Sequence, residues 1–253
     1  MTTFGVIYKK EDRLIAATAK QVIKDLKGKG YKLNLNQAKF VITLGGDGTI
    51  LRAARLLYKS GVPILGIHMG GLGFLTEIEL SDLNDALEQI RGGKYRIEER
   101  CMLEALVAGR KIAALNDLVI SKSGIARVIK LAIVGVADYI ADGMVFSSAT
   151  GSTAYNLSVG GPILTPDSES MVLSAIAPHS INTRPIVLKR PIVAQLIRGK
   201  DVNFTADGQE VIPLFEGQKI KIQIAKFKAR FMRLKEYDFF DRIQEAFGFG
   251  PER

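Results

Sequence analysis

The stretch from residue 40 to residue 58 changes abruptly from one periodicity to another, and this change limits the folds open to the chain. The run Phe40-Val41-Ile42-Thr43-Leu44 is short, rich in branched side chains and closed by glycines, which is typical of a buried parallel strand. Helical spacing begins directly afterwards, with one apolar face formed by Ile50, Leu51, Ala54, Leu57 and Tyr58. The turn Gly45-Gly46-Asp47-Gly48-Thr49 therefore lies at the carboxyl end of a strand, immediately before a helix.

The sheet edge that carries this turn is where open α/β sheets bind ligands, because loops converge there and helix N-termini present unpaired N–H groups. Glycines allow a bound phosphate to approach the backbone closely. A carboxylate in such a loop favours phosphoryl transfer to a hydroxyl, with Asp47 taking the proton. A tight turn in which Asp47 or Thr49 caps the next helix explains the same residues without any ligand. The turn is neither a Walker loop nor a Gly-x-Gly-x-x-Gly fingerprint, so this stretch alone leaves both interpretations open.

Strand and helix patterns alternate through residues 1–95 and predict an α/β domain with a doubly wound parallel sheet. The predicted strands are residues 4–8, 31–35, 40–44 and 63–67, and the predicted helices are residues 11–27, 49–60 and 81–90. Residues 96–229 are predicted to form a β-rich, sandwich-like domain, because their apolar segments, including one at 112–120, are short, β-branched and separated by turns. The tail, residues 230–253, contains a predicted helix at 239–247 ended by Gly248, and we expect it to pack back on the first domain.

Two further stretches contain residues suited to ligand binding. The glycine-rich loop at residues 68–75 follows the fourth predicted strand, so it opens onto the same edge as Asp47 if the two strands are neighbours. Phe74 in this loop is interpreted either as a ring that lines a pocket or as a buried anchor. Residues 147–155 run from a strand through Thr-Gly-Ser-Thr into a predicted helix at 154–159, which favours an anion site at the helix N-terminus. An ordinary cluster of capping hydroxyls accounts for any one of these side chains.

The composition narrows the classes of function. Lysine and arginine exceed aspartate and glutamate by 9 in 253 residues, which favours a polyanionic ligand, although scattered surface lysines explain it equally well. We expect no nucleic-acid partner, because no basic motif with interleaved aromatic residues is present. A single cysteine, Cys101, and two histidines exclude an intrachain disulfide and metal sites rich in Cys or His. With no signal-peptide pattern and no apolar run near the roughly 18 residues of a membrane span, we expect a cytoplasmic protein without a membrane partner.

Six motifs follow one another between about residue 40 and about residue 210. They are Gly-Gly-Asp-Gly-Thr (45–49), Leu-Gly-Phe-Leu (72–75), Leu-Asn-Asp-Leu-Val-Ile (115–120), Asp-Gly-Met-Val-Phe-Ser-Ser-Ala-Thr-Gly-Ser-Thr-Ala-Tyr (142–155), Gly-Gly-Pro (160–162) and Asp-Gly-Gln (207–209). In this combination the chain closely resembles the NAD kinase family. Gly-Gly-Asp-Gly alone is shared with phosphofructokinases and diacylglycerol kinases, whereas the Thr-Gly-Ser-Thr-Ala-Tyr block is much more specific. The resemblance implies the two-domain fold of that family, with the site between the domains, in a homodimer or homotetramer.

The activity that this resemblance implies is phosphorylation of the 2′-hydroxyl of the adenosine ribose of NAD, which gives NADP. The implied donor is ATP or inorganic polyphosphate, and the implied cofactor is a divalent cation, Mg²⁺ or Mn²⁺, carried by the phosphates. By the same resemblance Asp47 is the general base, and the phosphate loop is formed by Gly45, Gly46, Gly48 and Thr49. The implied NAD-binding residues are Asp47, Gly48, Phe74, Asn116, Asp117, Asp142, Thr150, Thr153, Ala154, Tyr155, Ser158 and Ala177, with Asp207 and Gln209 as additional candidates.

Two positions depart from the family pattern. The Asn-Glu pair common in the family is Asn116-Asp117 here, and the acidic side chain is one methylene shorter. Ser147-Ser148-Ala149 stands where many members have Ser-Thr-Pro, and loss of that proline frees the φ angle before the loop. The alternatives are a lipid or sugar kinase built on the same glycine-aspartate loop and a dinucleotide-binding sensor without turnover. The block at 150–158 argues against the first, and an intact Asp47 argues against the second.

Overall fold

The computed structural model describes residues 2–70, 73–124, 127–236 and 238–248. The chain divides into two compact units, one formed by Met1–Glu99 with Ala229–Arg253 and the other by Arg100–Lys228. Residues 71 and 72 of the second glycine-rich loop and residues 249–253 of the tail lie outside the described residues. None of the described helices is long and apolar enough to cross a membrane.

The two units differ in their secondary structure. The first begins with β1 (Thr3–Tyr8), α1 (Arg13–Gly28), β2 (Lys32–Leu33), β3 (Phe40–Leu44), α2 (Asp47–Leu57), β4 (Ile64–His68), β5 (Ile78–Glu79), α3 (Leu83–Arg91) and β6 (Arg96–Arg100). The second contains β7 (Leu103–Val107), β8 (Arg110–Ala114), β9 (Asp117–Lys122), β10 (Ile129–Ile133), β11 (Ala137–Ala141), β12 (Gly143–Ser147), α4 (Tyr155–Ser158), β13 (Met171–Ile176), β14 (Ile186–Leu188), β15 (Ile192–Arg198), β16 (Val202–Ala206), β17 (Glu210–Leu214) and β18 (Lys219–Ile224). The chain then returns to the first unit with β19 (Ala229–Arg233) and α5 (Phe239–Phe247).

The first unit is organised around one sheet with the strand order β2-β1-β3-β4-β19-β6, and β5 adds to it beside β4. The pairs β1–β2, β1–β3, β3–β4, β4–β5 and β4–β19 are parallel. All five residues of β3 are buried, as expected for a central strand of such a sheet. The predicted α/β class of this part of the chain is confirmed.

The strand order reverses between β1 and β3, and this reversal positions the candidate site. From β1 the chain moves to β2 on one side, and it then returns to β3 on the other side. The carboxyl ends of β1 and β3 therefore form a topological switch point, where open α/β sheets bind ligands. Because β3 also pairs with β4 from Val41–Ile64 to Leu44–Ile67, the two glycine-rich loops that follow these strands begin at the same edge.

The second unit is a sandwich of two six-stranded sheets, with the orders β11-β10-β15-β18-β7-β8 and β14-β13-β12-β9-β16-β17. Neighbouring strands are antiparallel, as in the pairs β10–β15 and β9–β12. Apolar side chains of both sheets form one core, among them Leu131, Leu196 and Ile222 of the first and Leu118, Phe146 and Phe204 of the second. The predicted β-rich, sandwich-like architecture is confirmed.

Several local predictions differ from the structure. The segment predicted at 112–120 is two strands, β8 and β9, because the chain turns between them at residues 115 and 116. The helix predicted from 49 begins at Asp47, so the carboxylate belongs to the first turn of α2. The helix predicted at 154–159 is the four-residue α4, which is too short to build up a substantial macrodipole. The domain bounds 1–95, 96–229 and 230–253 stay a prediction; β6 lies beside β19 in the first sheet, and the division into compact units falls after Glu99.

Candidate active site

Asp47 lies where β3 ends and α2 begins. Gly45 has a φ of +142°, and a Cβ atom at this position would lie 2.5 Å from Thr49 Oγ1, so glycine is required here. Gly46 is the extended N-cap residue of α2, and Asp47 is the first helical residue. A negative charge is favourable at this position, because the N-terminus of a helix carries a partial positive charge.

Both carboxylate oxygens of Asp47 accept hydrogen bonds from the loop that follows β4. Phe74 N donates to Oδ2 at 2.9 Å, and Leu75 N donates to Oδ1 at 3.1 Å. Asp47 is half-buried, and an ionised carboxylate offers about four lone-pair sites. The carboxylate is therefore held in one orientation and retains the capacity to accept a hydrogen bond from a substrate hydroxyl.

The loop at residues 73–76 fits closely against Asp47. A Cβ atom on Gly73 would lie 2.3 Å from Asp47 Oδ1, so a larger residue would displace the carboxylate. Gly73 N donates to Thr76 Oγ1 at 3.1 Å, which closes the loop on itself. The ring of Phe74 stacks on that of Phe247 in α5, with centroids 5.6 Å apart and an interplanar angle of 30°. In this conformation Phe74 anchors the loop to α5.

Arg233 in β19 contacts the same loop, and sequence reasoning did not single it out. Its guanidinium donates to Leu75 O at 3.2 Å, to Glu77 Oε2 at 2.9 Å and to Glu98 Oε2 at 2.6 Å. The Arg233 side chain is only 1% exposed. Burial opposes its charged form, but Glu98 and Glu77 outweigh burial and raise the pKa of Arg233 above its usual value. This cluster fixes the loop to β19.

Arg242 in α5 is a second arginine that contacts this loop and belongs to no sequence motif. Its Nη1 donates to Gly73 O, and its Nη2 donates to Thr76 O at 3.5 Å. The acceptors are backbone carbonyls, which every residue has, so no sequence pattern connects them to a particular arginine. The first unit thus brings Asp47 and its phosphate-loop neighbours together with Phe74, Arg233 and Arg242.

In the second unit, the carboxylate of Asp207 holds the chain between β8 and β9. Its Oδ1 accepts from Asn116 N at 2.8 Å and Asp117 N at 3.3 Å, and its Oδ2 accepts from Leu115 N at 3.1 Å. Asp207 and the next residue have φ angles of 49° and 62°, and Gln209 N closes their turn onto residue 206 at 3.0 Å. Asp207 is 8% exposed, so its carboxylate shapes the turn that carries Asn116 and Asp117.

Asp117 is a buried acid, 7% exposed, close to Asp207. Burial, and secondly the charge of Asp207, raise the pKa of Asp117 from 3.8 to about 7. Near neutral pH its carboxyl group can therefore donate a hydrogen bond as well as accept one. Asn116 beside it is half-buried and adds an amide that can both donate and accept. The pair is suited to vicinal hydroxyls such as those of a ribose.

The hydroxyl-rich loop that follows β12 is joined to the same turn. Ser148 Oγ donates to Leu115 O and accepts from Gly151 N at 3.1 Å. A Cβ atom on Gly151 would lie 2.1 Å from Asn116 O, so glycine is needed for this close approach. Thr150 Oγ1 is buried and has no hydrogen-bond partner among the described residues. Buried hydroxyls are usually paired, which makes Thr150 a candidate for a hydrogen bond to a ligand.

The remaining predicted NAD-binding residues lie at two ends of β12. Those near its carboxyl end are half-buried or exposed, namely Thr153, Ala154, Tyr155 and Ser158. At its amino end Asp142 forms an ion pair with Lys122, with 2.8 Å between Oδ1 and Nζ, and Ala177 has a φ of 44° after β13. Ser147 pairs with Asp117 at the other end, so the strand separates the two groups by roughly 16 Å at about 3.3 Å per residue. Within one unit these residues therefore do not converge on a single point.

Comparison with known proteins assigns both units to one family. A model described as the ATP-NAD kinase N-terminal domain matches residues 5–95, and one described as the ATP-NAD kinase C-terminal domain matches residues 115–234. The chain belongs to the ATP-NAD kinase family. The family predicted from the six motifs is confirmed. The segments of this chain that match the two ATP-NAD kinase models do not include α5.

Individual relatives agree with the ATP-NAD kinase assignment. The NAD kinase of Moorella thermoacetica is 43% identical over 227 residues, which are 85% of this chain and 73% of that protein. The NAD kinase of Desulforamulus reducens is 42% identical over 221 residues, 83% of this chain and 77% of that protein. Both relatives are more than 40% identical over most of this chain, which agrees with membership of the same family.

Two solved structures resemble the whole chain. The NAD kinase of Archaeoglobus fulgidus in complex with ATP has a TM-score of 0.77 and 27% identity, and the match covers 98% of both chains. Yeast NADH kinase in complex with NADH has a TM-score of 0.87 and 20% identity, covering 100% of this chain and 89% of that one. At 20% identity the second likeness concerns the fold. The ATP-NAD kinase fold predicted for this chain is therefore supported independently of the sequence motifs.

Proposed function

We propose that this protein is an NAD kinase that transfers the γ-phosphoryl group of ATP to the 2′-hydroxyl of the adenosine ribose of NAD. The observation that carries the proposal is the position of Asp47. It is the first residue of a helix at the switch point of a parallel sheet, and two backbone N–H groups orient its carboxylate. Family membership supports NAD as the acceptor.

In the proposed reaction Asp47 is the general base. The proton of the 2′-hydroxyl passes to an Asp47 oxygen while the ribose oxygen bonds to the γ-phosphorus and ADP leaves. Because the transition state of phosphoryl transfer is largely dissociative, positioning and charge neutralisation supply most of the rate. The hydrogen bonds from Phe74 and Leu75 contribute to that positioning, since they prevent the carboxylate from rotating.

The NAD-binding roles are part of the same proposal. Asn116 and Asp117 bind ribose hydroxyls, which is supported by their shared turn and by the raised pKa of Asp117. Thr150 donates a hydrogen bond to NAD from its hydroxyl, which has no partner among the residues that the structure describes. The residues retained from the family resemblance are Gly45, Gly46, Gly48 and Thr49 for the phosphates and Phe74, Asp142, Thr153, Ala154, Tyr155, Ser158, Ala177, Asp207 and Gln209 for NAD. For Asp207 the observed contacts favour an indirect role, through the turn it shapes.

ATP is the proposed donor, supported by the family description and by the ATP in the structure of the Archaeoglobus kinase. The described residues include no group of three or more His, Cys, Asp or Glu side chains that could hold a metal ion. Mg²⁺ usually combines one or two carboxylates with substrate phosphates and water. We therefore propose that Mg²⁺ or Mn²⁺ enters with the nucleotide, and we assign it no cage of protein side chains.

The assembly and location of the protein are proposals that rest on the family resemblance and the sequence alone. We propose a homodimer or homotetramer that works in the cytoplasm on NAD and ATP, without a nucleic-acid or membrane partner. Sedimentation velocity of the purified protein measures the oligomer directly.

The test is a coupled assay for NADP with purified protein, NAD and Mg²⁺, and with ATP or polyphosphate in separate reactions. Asp47→Asn should lower kcat by about 10² to 10⁴, the usual contribution of a general base, while NAD binding measured by calorimetry stays nearly unchanged. Asp12→Asn is the matched control. Asp12 also lies at a helix N-terminus of the first unit, where its Oδ1 accepts from Ile15 N at 3.0 Å.

Each other outcome points to a different conclusion. Full activity of Asp47→Asn would remove Asp47 from the role of base. NAD binding without NADP formation in any reaction would favour a dinucleotide-binding sensor. Absence of both turnover and NAD binding would instead favour a lipid or sugar kinase. A comparison of the two donors decides between ATP and polyphosphate.

A further inference from the structure

The peptide group between Gly73 and Phe74 lies between a cation and an anion. Its carbonyl oxygen accepts a hydrogen bond from Arg242 Nη1, and its N–H donates to Asp47 Oδ2 at 2.9 Å. The two ends of a planar trans peptide point in opposite directions, along a dipole of about 3.5 D. The guanidinium therefore faces the negative end of this dipole and the carboxylate faces its positive end, so that both charges favour the same orientation of the peptide.

The remaining contacts of α5 hold Arg242 in place over the loop. Asp238 caps the helix by accepting from Phe240 N at 2.8 Å, and Gly248 ends it in the left-handed conformation at a φ of 65°. Ile243, next to Arg242, is buried, and the ring of Phe247 stacks on that of Phe74. The helix thus contacts the loop through a ring on one residue and through a guanidinium on another.

Arg233 also contacts the loop, but by a different arrangement. It donates to Leu75 O, whose peptide group carries the N–H of Thr76, and its charge is paired with Glu77 and Glu98. The N–H groups that bind Asp47 belong to Phe74 and Leu75. Of the two arginines, Arg242 is therefore the one that shares a peptide group with an N–H bound to Asp47.

We propose that Arg242 is a positioning residue for phosphoryl transfer. Through the Gly73–Phe74 peptide it keeps the Phe74 N–H directed at Asp47, and it thereby fixes the carboxylate that takes the proton. This inference rests on the proposed function, in which Asp47 is the base. It gives α5, which lies outside both matched family segments, a part in the reaction.

The experiment compares three replacements of Arg242 in the full chain. Arg242→Met removes the hydrogen-bond donors, Arg242→Gln keeps a neutral donor, and Arg242→Lys keeps a charged donor. We expect Arg242→Met to lower kcat for NADP formation by about tenfold or more while KM for NAD changes less than about twofold, because misplacement of a catalytic group mainly reduces kcat. Gln should be intermediate, and Lys should recover most of the loss. If Arg242 only stabilised the fold, the variants would lose stability, but their kcat values would not rise in the order Met, Gln, Lys.

Arg230→Met is the matched control. Arg230 lies in the same unit and also donates from Nη1 to a backbone carbonyl, that of Gly61 at 3.1 Å. We expect its kcat to remain within about twofold of the wild type. A twofold change corresponds to less than about 0.5 kcal/mol in activation free energy. Equal kcat in Arg242→Met and Arg230→Met would overturn the inference.

Amide hydrogen exchange gives a second measurement that does not depend on turnover. The Phe74 N–H should exchange faster in Arg242→Met than in Arg230→Met, because the peptide is no longer held from its carbonyl side. Unchanged protection of Phe74 would overturn the role of Arg242 even if kcat fell. Absence of NADP formation by the wild type would overturn the proposed function instead, so the two failures are distinguishable.

Discussion

Asp47 and Asp207 use their carboxylates in the same way, although one lies in the sheet unit and the other in the sandwich. Asp47 accepts the N–H groups of Phe74 and Leu75, whereas Asp207 accepts three successive N–H groups at residues 115–117. Asp207 is buried in a turn, whereas Asp47 is half-buried at a helix N-terminus. The two aspartates therefore differ in burial and in the number of N–H groups that they bind, and not in residue type: Asp207 shapes a turn, whereas Asp47 is the proposed base.

The largest effect that this comparison predicts is on stability, from Asp207→Ala. Three N–H groups lose their acceptor, and we expect the free energy of unfolding to fall by about 3–5 kcal/mol, since each buried donor left unpaired costs roughly 1–3 kcal/mol. Urea denaturation measures the change. Asp201→Ala is the control, because Asp201 also has a positive φ, 52°, but is exposed. Equal losses in the two variants would reduce Asp207 to an ordinary turn residue.

A second prediction concerns the close approach of Gly73 to Asp47. In Gly73→Ala the new Cβ atom would lie 2.3 Å from Asp47 Oδ1, so the carboxylate has to move. We expect kcat for NADP formation to fall by about 10- to 100-fold, with a change of less than about 1 kcal/mol in the free energy of unfolding. Gly70→Ala, where no atom of the described residues lies within 4 Å of the added Cβ, should leave kcat unchanged. If both variants turn over equally, the position of the Asp47 carboxylate is less critical than its contacts indicate.

The third prediction is a pH dependence that arises from Asp117. Its pKa is raised from 3.8 to about 7 in the folded protein, so between these values the folded state binds more protons than the unfolded state. The contribution of Asp117 to the free energy of unfolding therefore falls as the pH rises toward 7. Between pH 5 and pH 8 we expect the wild type to lose about 2 kcal/mol relative to Asp117→Asn in urea denaturation. A difference between the two proteins that does not change with pH would contradict the raised pKa.

The smallest expected effect compares two unpaired hydroxyls, one in each unit. Thr150 Oγ1 and Thr43 Oγ1 are both buried without a hydrogen-bond partner among the described residues. Replacement of either by Val should raise the free energy of unfolding by about 1 kcal/mol, because an unsatisfied polar atom is removed at nearly constant shape. Thr150→Val should also weaken NAD binding by about tenfold in calorimetry, since a hydrogen bond of about 1 kcal/mol or more is lost, whereas Thr43→Val should not. Equal NAD affinities would remove Thr150 from the proposed site.

The sequence predicted well the strand, turn and helix around Asp47 and the helix of the tail, because these elements depend on neighbouring residues. The strand at 40–44, the glycine turn and the helix after it follow from periodicity and from glycine conformations. The helix at 239–247 has the predicted bounds and ends at a left-handed Gly248. The order of the six motifs was sufficient to predict the family and its fold.

The tertiary structure alone decided which distant residues bind Asp207 and which hold the loop that binds Asp47. Leu115 and Asp207 are 92 residues apart, and Gly73 and Arg242 are 169 residues apart. In both pairs one partner is a backbone N–H or C=O. Almost every residue has these groups, so residue types do not indicate which of them is bound. The break between β8 and β9 was missed for the same reason, because its cause is the carboxylate of a residue in another hairpin. Residue types and spacing determined the elements and the family, whereas backbone hydrogen bonds made across the fold determined how the carboxylates are oriented.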